Sequence, residues 1–320
     1  MTTSGSTAGG HRRGLRSIRV PTSRGTIVGV TRTYRDRCPG VLRPWIADDG
    51  ALVRLRLVGG RTSPQQLHRL LAISAEHADG SVLLTRRANL QLRGIAHTDG
   101  CVDPVLVDEL TDAGLLPSAS HELVRNIMTS PLTGLTGGQA DLRDVAARLD
   151  AGLVADEELA ALPARFLFVL DDGRGDLVDR SLDLGAMAVD PEHAQVRIGG
   201  RHWGDVVALD DLPDVLLGLA RRFVDLRGDG EDAPWHVDEL EDPTTVVGTT
   251  FARDLRTHVA ALPLRLGSIG QDDGRRAEHV PVPDGLLTAD LARELLAPAG
   301  PDVVVTPWRS LLLPDLQDAP

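Results

Sequence analysis

Two stretches of this chain repeat one another: Thr85-Arg86-Arg87-Ala88-Asn89-Leu90-Gln91-Leu92 and, near the end, Thr306-Pro307-Trp308-Arg309-Ser310-Leu311-Leu312-Leu313. They share a leading Thr and two Leu in the same register. Upstream of each stretch the same order recurs, namely an apolar run, a glycine (Gly60 or Gly285), a hydroxyl residue and a run with helical apolar spacing. Each copy therefore predicts a strand, a helix and two further strands.

The helix of the first copy has the clearer signals. Ser63 followed by Pro64 is typical of an N-cap and a first helical position, and apolar residues then recur at helical spacing. Residues 82–84 read as a buried strand. In the second copy Thr288 is the predicted cap and Val303–Val305 the predicted strand.

Neither copy is large enough to bury both faces of its own sheet. A unit of about 60 residues has too little interior for that. The simplest solution is that the copies pack together about a pseudo-two-fold axis, which brings the two ends of the repeat region together in space.

The middle of the chain predicts mixed α/β structure. Apolar periodicity and turn residues there indicate helices at Asp141 to Leu153 and Leu212 to Phe223, a strand at Arg165 to Leu170, a hairpin over 187–198, an acidic linker over 228–247 and a helix near Phe251 to Leu262.

Composition limits the class of protein. The chain has 320 residues, of which 42% are hydrophobic, which suits two or three globular units. No apolar run approaches the roughly 20 residues of a membrane span, and no apolar signal-peptide core follows Met1. Cys38 and Cys101 are the two cysteines, which is too few for a disulfide framework. We expect a cytoplasmic protein in a reducing compartment, with no membrane partner.

Charge is distributed unevenly along the chain. The first 35 residues hold seven Arg and no acid, whereas the whole chain carries a net charge of −12. The opening resembles a transit peptide in composition, and a disordered tail or a start assigned too early are the alternatives. The acidic body disfavours nucleic acid as a partner. No Lys occurs, so any bound anion must be held by guanidinium groups, which suit carboxylates bidentately.

Several blocks resemble the nitrite/sulfite reductase superfamily and, within it, the precorrin-3B synthases of the aerobic cobalamin pathway. The resemblance extends over roughly residues 37 to 316 and rests on the combination of these blocks. The blocks are Arg37 to Pro44, Asp49 to Leu57, Leu84 to Ile95, His121 to Ile127, Ser130 to Gly134, Phe166 to Gly173 and Thr306 to Arg309.

The resemblance implies an α+β fold in which two ferredoxin-like half-domains, related by pseudo-two-fold symmetry, flank an α/β domain that cradles a tetrapyrrole. It also implies O2-dependent hydroxylation of precorrin-3A, an anionic tetrapyrrole. The implied divisions are a disordered Arg-rich tail at 1–36, the first half-domain at 37–115, the siroheme or tetrapyrrole-type domain at 116–258 and the second half-domain at 259–320.

The iron–sulfur chemistry of the family has no counterpart in these residues. Members bind an iron-containing [4Fe–4S] cluster through four cysteines in a domain that follows the position of Pro314-Asp315-Leu316, and this chain offers only Cys38 and Cys101. Three explanations stay open: a separate Fe-S-bearing partner chain, a truncated or non-catalytic relative, or turnover without the cluster. A non-catalytic or split tetrapyrrole-binding subunit is therefore one alternative function, and a nitrite or sulfite reductase-like protein, which in the family also uses Lys at the anion, is another.

Site residues follow from the matching blocks. Arg87 stands at the Thr-x-Arg position and is expected to face the substrate, and Arg125 and Asn126 are expected to line the same cavity. Arg93 and Gln91 are further candidates on the same strand. For each Arg the alternative is a solvated charge or a structural ion pair, and for Gln91 a polar group of the sheet.

Other motifs give weaker signals. His97 and Cys101 have a spacing compatible with two metal ligands, but no further Cys or His lies nearby, so no metal site is predicted. The Ser130 to Gly138 segment is either a tight anion-holding loop or a plain loop before an N-cap at Asp141. Cys38 is interpreted as structural, and Trp203 and Trp308 as core residues rather than macrocycle-stacking groups; His193 and His202 lack ligand spacing.

Overall fold

The computed structural model describes Met1, residues 38–230 and residues 232–316. Apart from Met1, the predicted tail at 1–36 lies outside the described residues. Over the described residues the chain forms five α-helices, namely α1 (Pro64–His77), α2 (Pro104–Asp112), α3 (Arg143–Ala155), α4 (Leu212–Arg227) and α5 (Ala289–Leu295). The same residues form seventeen strands, namely β1 (Trp45–Ala47), β2 (Gly50–Leu55), β3 (Arg61–Thr62), β4 (Ser81–Leu84), β5 (Leu90–Ile95), β6 (His97–Thr98), β7 (Cys101–Val102), β8 (Ile127–Thr129), β9 (Phe168–Asp171), β10 (Leu184–Ala188), β11 (His193–Ile198), β12 (His202–Ala208), β13 (Gly267–Gly270), β14 (Arg276–Pro281), β15 (Leu286–Thr288), β16 (Val303–Val305) and β17 (Ser310–Leu316).

The two copies build two five-stranded sheets, and each sheet takes one strand from the other copy. Sheet 1 has the order β1-β2-β5-β4-β15, and sheet 2 has the order β13-β14-β17-β16-β3. Strand β15 pairs antiparallel with β4, placing Leu286 opposite Leu83, and β3 pairs antiparallel with β16, placing Thr62 opposite Val303. This reciprocal exchange confirms that the duplicated units pack together about a pseudo-two-fold axis.

The repeated stretch also folds identically in both copies. In the first copy the Thr85 amide donates to the carbonyl of Asn89 at 2.9 Å, and in the second the Thr306 amide donates to the carbonyl of Ser310 at 2.9 Å. The predicted caps are present as well: Ser63 and Thr288 accept backbone N–H bonds at the starts of α1 and α5. Local chemistry therefore sets matching turns and helix starts in the two copies.

One glycine in each copy lies against the other copy. Gly60 and Gly285 both have φ near +73°, a conformation that side chains disfavour. A Cβ at Gly60 would lie 2.2 Å from the carbonyl oxygen of Val305, and one at Gly285 would lie 3.1 Å from that of Leu84. The close approach of the two sheets requires a residue without a side chain at these positions.

A third sheet, sheet 3, carries the middle of the chain in the order β12-β11-β10-β9-β8. Strands β8, β9 and β10 are parallel, whereas β10, β11 and β12 are antiparallel. Helices α3 and α4 pack together over an apolar core that contains Phe166, Phe168 and Phe223, whose neighbouring ring centroids are 5.2 Å apart. The predicted hairpin over 187–198 corresponds to β10 and β11.

Two element predictions differ from the structure. Helix α3 begins at Arg143, because the Asp141 carboxylate accepts the Arg143 amide in a turn before the helix. The helix predicted near Phe251 to Leu262 is wrong, since this region forms only a 3-10 turn at Leu255–Thr257. Leu255 is 84% exposed, so the apolar residues there have no core to line.

The described helices offer no membrane span: none is both long and apolar enough to cross a bilayer.

Candidate functional site

The face of sheet 1 that points away from α1 and α2 carries a row of polar groups. Along β2, Ala51, Val53 and Leu55 are buried in the core beneath α1 and α2. Strand alternation turns Arg54 to the opposite face, and Arg56 continues that face one pleat beyond the strand. Arg54 stands opposite Gln91 of β5 in the antiparallel register.

Arg54 and Arg56 are held by uncharged acceptors. Arg54 donates through Nη2 to Gln91 Oε1 at 3.2 Å and through Nη1 to the Cys38 sulfur at 3.8 Å. Arg56 is 5% exposed and donates to Asn126 Oδ1 at 3.1 Å and to the carbonyl oxygens of Pro39 and Ala164 at 3.3 Å. Their partners leave the positive charges uncompensated.

Arg87 extends the same group from the turn before β5. Its Nη1 donates to the carbonyl of Arg165 at 2.7 Å. Burial lowers the pKa of Arg87 from its ordinary value, and burial likewise lowers the pKa of Arg56 to about 10. Repulsion from neighbouring guanidinium groups, Arg54 among them, lowers both pKa values further, whereas Cys38 acts to raise them.

No acidic side chain neutralises this group. The described residues place no carboxylate oxygen within 4.0 Å of the guanidinium nitrogens of Arg54, Arg56 or Arg87. Asp183 acts on Arg87, and Glu122 acts on Arg56, only from longer distances. In addition, Arg54 Nε is buried and has no hydrogen-bond partner. Three neighbouring guanidinium groups, the guanidinium cluster, thus lie together without a carboxylate partner in a protein with 46 acidic residues.

Asn126 connects the guanidinium cluster to the middle sheet. Its Oδ1 accepts from Arg56 and from Asn89 Nδ2, and its own Nδ2 donates to the carbonyls of Leu123 and Ala164. The Asn126 side chain is thus fixed by Asn89 and two main-chain carbonyls and holds Arg56 in turn, so Asn126 positions Arg56 in this structure.

Arg125 lines a small recess together with Arg54 and Arg56, but it has a carboxylate partner of its own. It forms a bidentate ion pair with Asp150 of α3, with N–O distances of 2.6 and 2.7 Å. It lines a cavity of about 400 Å³ between the 57–61 turn and α3, together with Arg56, Arg61 and Arg143. Arg87 does not line this cavity, so the structure does not bring Arg87 and Arg125 into one shared hollow.

The remaining predicted residues differ in their surroundings. Gln91 is 6% exposed and accepts from Arg54, which makes it part of the guanidinium cluster's support. Arg93 is exposed and ion-paired with Asp49 at 2.9 Å. Sequence reasoning missed Arg54 and Arg56. The signal was available as Arg54-Leu55-Arg56, in which two cations alternate with a core residue on a predicted strand.

Three buried carboxylates, those of Asp171, Asp172 and Asp176, lie together at the end of β9 and in the loop that follows it. Asp176 Oδ1 accepts the Ser130 hydroxyl at 2.6 Å, whereas Oδ2 is buried without a hydrogen bond. Burial raises the pKa of Asp176 to about 7, and the charges of Asp171 and Asp172 add to the effect. Arg174 pairs with Asp172 at 2.6 Å and compensates part of the charge. The sequence indicated only a strand end at Asp171-Asp172-Gly173.

The weaker motifs have structural roles. His97 and Cys101 lie on the exposed β6–β7 hairpin, and no third ligand joins them among the described residues. The Trp203 ring lies between Arg197 and Arg253, with guanidinium-to-centroid distances of 5.2 and 5.0 Å. Thr133, inside the 130–138 loop, accepts the Leu142 amide and so supports the start of α3.

A [4Fe–4S] cluster does not fit the thiols of this chain. Such a cluster takes four thiolate ligands, and the 320 residues contain Cys38 and Cys101. Cys38 lies beside Arg54 whereas Cys101 lies on the exposed hairpin.

Comparison with known proteins identifies the fold. Residues 47–99 match the family model of the Nitrite/Sulfite reductase ferredoxin-like half domain. The beta subunit of the NADPH sulfite reductase of Saccharomyces cerevisiae is 36% identical over 86 residues, which are 25% of this chain and 6% of that protein. The solved structure of the NirA protein of Mycobacterium tuberculosis matches with a TM-score of 0.67 and 21% identity, over 88% of this chain and 60% of that one.

These matches show that this chain carries a nitrite/sulfite reductase ferredoxin-like half-domain over residues 47–99 and has the fold of NirA. The chain spans less than two thirds of the length of either relative.

Proposed function

We propose that this protein binds an anionic tetrapyrrole at the guanidinium cluster and is a precorrin-3B synthase-like oxidoreductase of aerobic cobalamin biosynthesis. The observation that carries the proposal is the group of Arg54, Arg56 and Arg87 without a carboxylate partner in an acidic protein. Precorrins carry several carboxylate side chains on one rigid ring. Such a ligand matches several fixed cations on one protein face.

The chemistry of the cluster favours carboxylates over other anions. Guanidinium groups form bidentate, charge-assisted bonds with planar carboxylates, and these bonds are about twice as strong as neutral ones. A carboxylate beside Arg54 would reduce the repulsion among the three guanidinium groups.

The polar residues around the cluster support its geometry. Asn126 and the carbonyls of Pro39 and Ala164 hold Arg56, and Gln91 holds Arg54. We assign these groups to positioning, and Arg54 and Arg87 to direct contact with the ligand carboxylates. Arg93, which pairs with Asp49 on an exposed edge, is assigned to a peripheral carboxylate of the ligand. Arg125 is a further candidate, because it can exchange its partner Asp150 for a ligand carboxylate.

The cysteine count favours a second form of the same proposal. With two cysteines in the chain, a split or non-catalytic tetrapyrrole-binding subunit that needs a separate Fe-S-bearing chain accounts equally well for the cluster of Arg residues. A siroheme-dependent nitrite or sulfite reductase is the third candidate, supported by the name of the matched half-domain family and by the activity named in the yeast relative.

The test is anaerobic incubation of the purified full chain with precorrin-3A, followed by admission of ¹⁸O-labelled O2 together with a two-electron reductant, which supplies the electrons that reduce the second oxygen atom to water. Binding and labelled hydroxylated product support a synthase. Binding without product supports the subunit form. No binding of precorrin-3A contradicts both, and siroheme-dependent turnover of nitrite or sulfite after reconstitution would then establish the reductase.

A further inference from the structure

We propose that Glu76, His77 and Glu109 form a binding site for a divalent transition-metal cation of the Zn²⁺ class. The three residues lie where the end of α1 meets α2. One potential ligand atom from each lies within 4.8 Å of the other two. The proposal is independent of the tetrapyrrole-binding function, because α1 and α2 cover the face of sheet 1 opposite the guanidinium cluster.

Two of the ligand atoms lie close together without a hydrogen bond. His77 Nε2 and Glu109 Oε2 are both buried atoms, and neither makes a hydrogen bond. A buried polar atom without a partner is costly, so such pairs call for an explanation. A bound cation would satisfy both atoms at once.

The spacing of these two atoms suits a tetrahedral metal. His77 Nε2 and Glu109 Oε2 are 3.4 Å apart. Zinc bonds to imidazole nitrogen and carboxylate oxygen at about 2.0–2.2 Å, so two such ligands at the tetrahedral angle lie roughly 3.4 Å from each other. The pair therefore needs little rearrangement to bind a metal, and Glu76 supplies the third ligand by a side-chain rotation.

The donor set selects the class of cation. Mg²⁺ and Ca²⁺ prefer ligand sets composed of oxygen atoms. An imidazole with two carboxylates suits zinc and its neighbours in the first transition series. Glu76 is exposed, so the metal retains an outer position for water. Arg69 Nη2 lies 3.4 Å from Glu109 Oε1 and engages the oxygen that the metal does not use.

A simple ion pair between protonated His77 and Glu109 is the competing explanation. It predicts that replacing His77 changes stability to the same extent with and without zinc. Metal binding predicts that the change depends on zinc, because a ligand that binds only the folded state stabilises it by mass action.

The experiment uses the full chain after chelator treatment, titrated with Zn²⁺ by equilibrium dialysis and with Co²⁺ for its visible spectrum. We expect one metal per chain, a spectrum of tetrahedral Co²⁺ and a rise in Tm on addition of Zn²⁺. Glu76→Gln, His77→Gln and Glu109→Gln should each weaken binding at least about tenfold.

His68→Gln is the matched control, because His68 lies exposed on the same helix, and the double variant His97→Gln with Cys101→Ser removes the other His–Cys pair. Both should bind like wild type. Zinc binding that survives His77→Gln, that is lost in the His97/Cys101 variant, or that is absent from wild type would overturn the proposal. Glu76→Gln, at an exposed position, keeps the test decisive should the other variants fold poorly.

Discussion

At the scale of single residues, Asp176 makes stability depend on pH. Its carboxyl is buried beside Asp171 and Asp172, and burial raises its pKa from 3.8 to about 7. Between these pH values the unfolded chain has released the proton and the folded chain has kept it. Binding of this proton therefore favours the folded state. This contribution to the free energy of unfolding is fully present below pH 3.8 and is lost as the pH rises towards 7.

Asp176→Asn should remove this dependence while keeping a polar partner for Ser130. The difference in the free energy of unfolding between variant and wild type should shift in favour of the variant by up to about 1.4 kcal/mol per pH unit from pH 4 to pH 7. Urea denaturation at pH 5 and pH 8 measures it. Asp179→Asn, at an exposed position nearby, is the control. A constant difference across this range would show that Asp176 is ionised throughout.

Arg87 tests whether the site requires a guanidinium group or merely a positive charge. Its Nη1 is occupied by the Arg165 carbonyl, so a ligand must use the remaining N–H groups of the fork. Arg87→Lys keeps the charge but loses the fork, and both Arg87→Lys and Arg87→Gln should weaken tetrapyrrole binding, the latter by about tenfold or more. Equal affinity in wild type and Arg87→Lys would reduce the role of Arg87 to charge alone.

At the scale of elements, the close contact between the two copies depends on Gly60. Gly60→Ala puts a Cβ 2.2 Å from the Val305 carbonyl at a positive φ, so we expect a loss of more than about 1 kcal/mol in the free energy of unfolding. Gly218→Ala is the control within α4, where a Cβ meets nothing within 4 Å. It should stabilise by about 0.5–1 kcal/mol. A neutral Gly60→Ala would mean that the two sheets separate easily.

The elements also show how far the sequence leads. Helix starts at Ser63 and Thr288 were predictable because a cap is a local signal. The exchange of β3 and β15 was not, since a two-residue strand such as Arg61–Thr62 carries no information about its pairing partner. The helix near Phe251 failed for a related reason: apolar spacing indicates a stripe but not whether a core exists to receive it.

The same limit applies to the site. Arg87 was found through the motif around it, whereas Arg54 and Arg56 were missed, because strand alternation tells which face a residue occupies and not what lies over that face. The Arg125–Asp150 pair joins residues 25 positions apart through tertiary packing. No pattern within either segment predicts it.

At the scale of the whole molecule, binding of a polyanion requires a local exception to the overall charge. The chain has a net charge of −12, so its surface as a whole repels a polycarboxylate. Attraction must come from the guanidinium cluster at short range. Its affinity should therefore fall with rising salt while remaining measurable, because partly buried charges are screened less than exposed ones.

The central claim is that Arg54 and Arg87 hold the carboxylates of a tetrapyrrole, with the charge of the buried Arg56 beside them. The most direct test is equilibrium titration of the full chain with uroporphyrin III, an octacarboxylate, and with its octamethyl ester, using wild type, Arg54→Gln, Arg87→Gln and the exposed control Arg293→Gln. We predict that the acid binds wild type and the control alike, that each cluster variant binds at least about tenfold more weakly, and that the ester does not bind. Equal binding of acid and ester, or no loss in Arg54→Gln and Arg87→Gln, would contradict the claim.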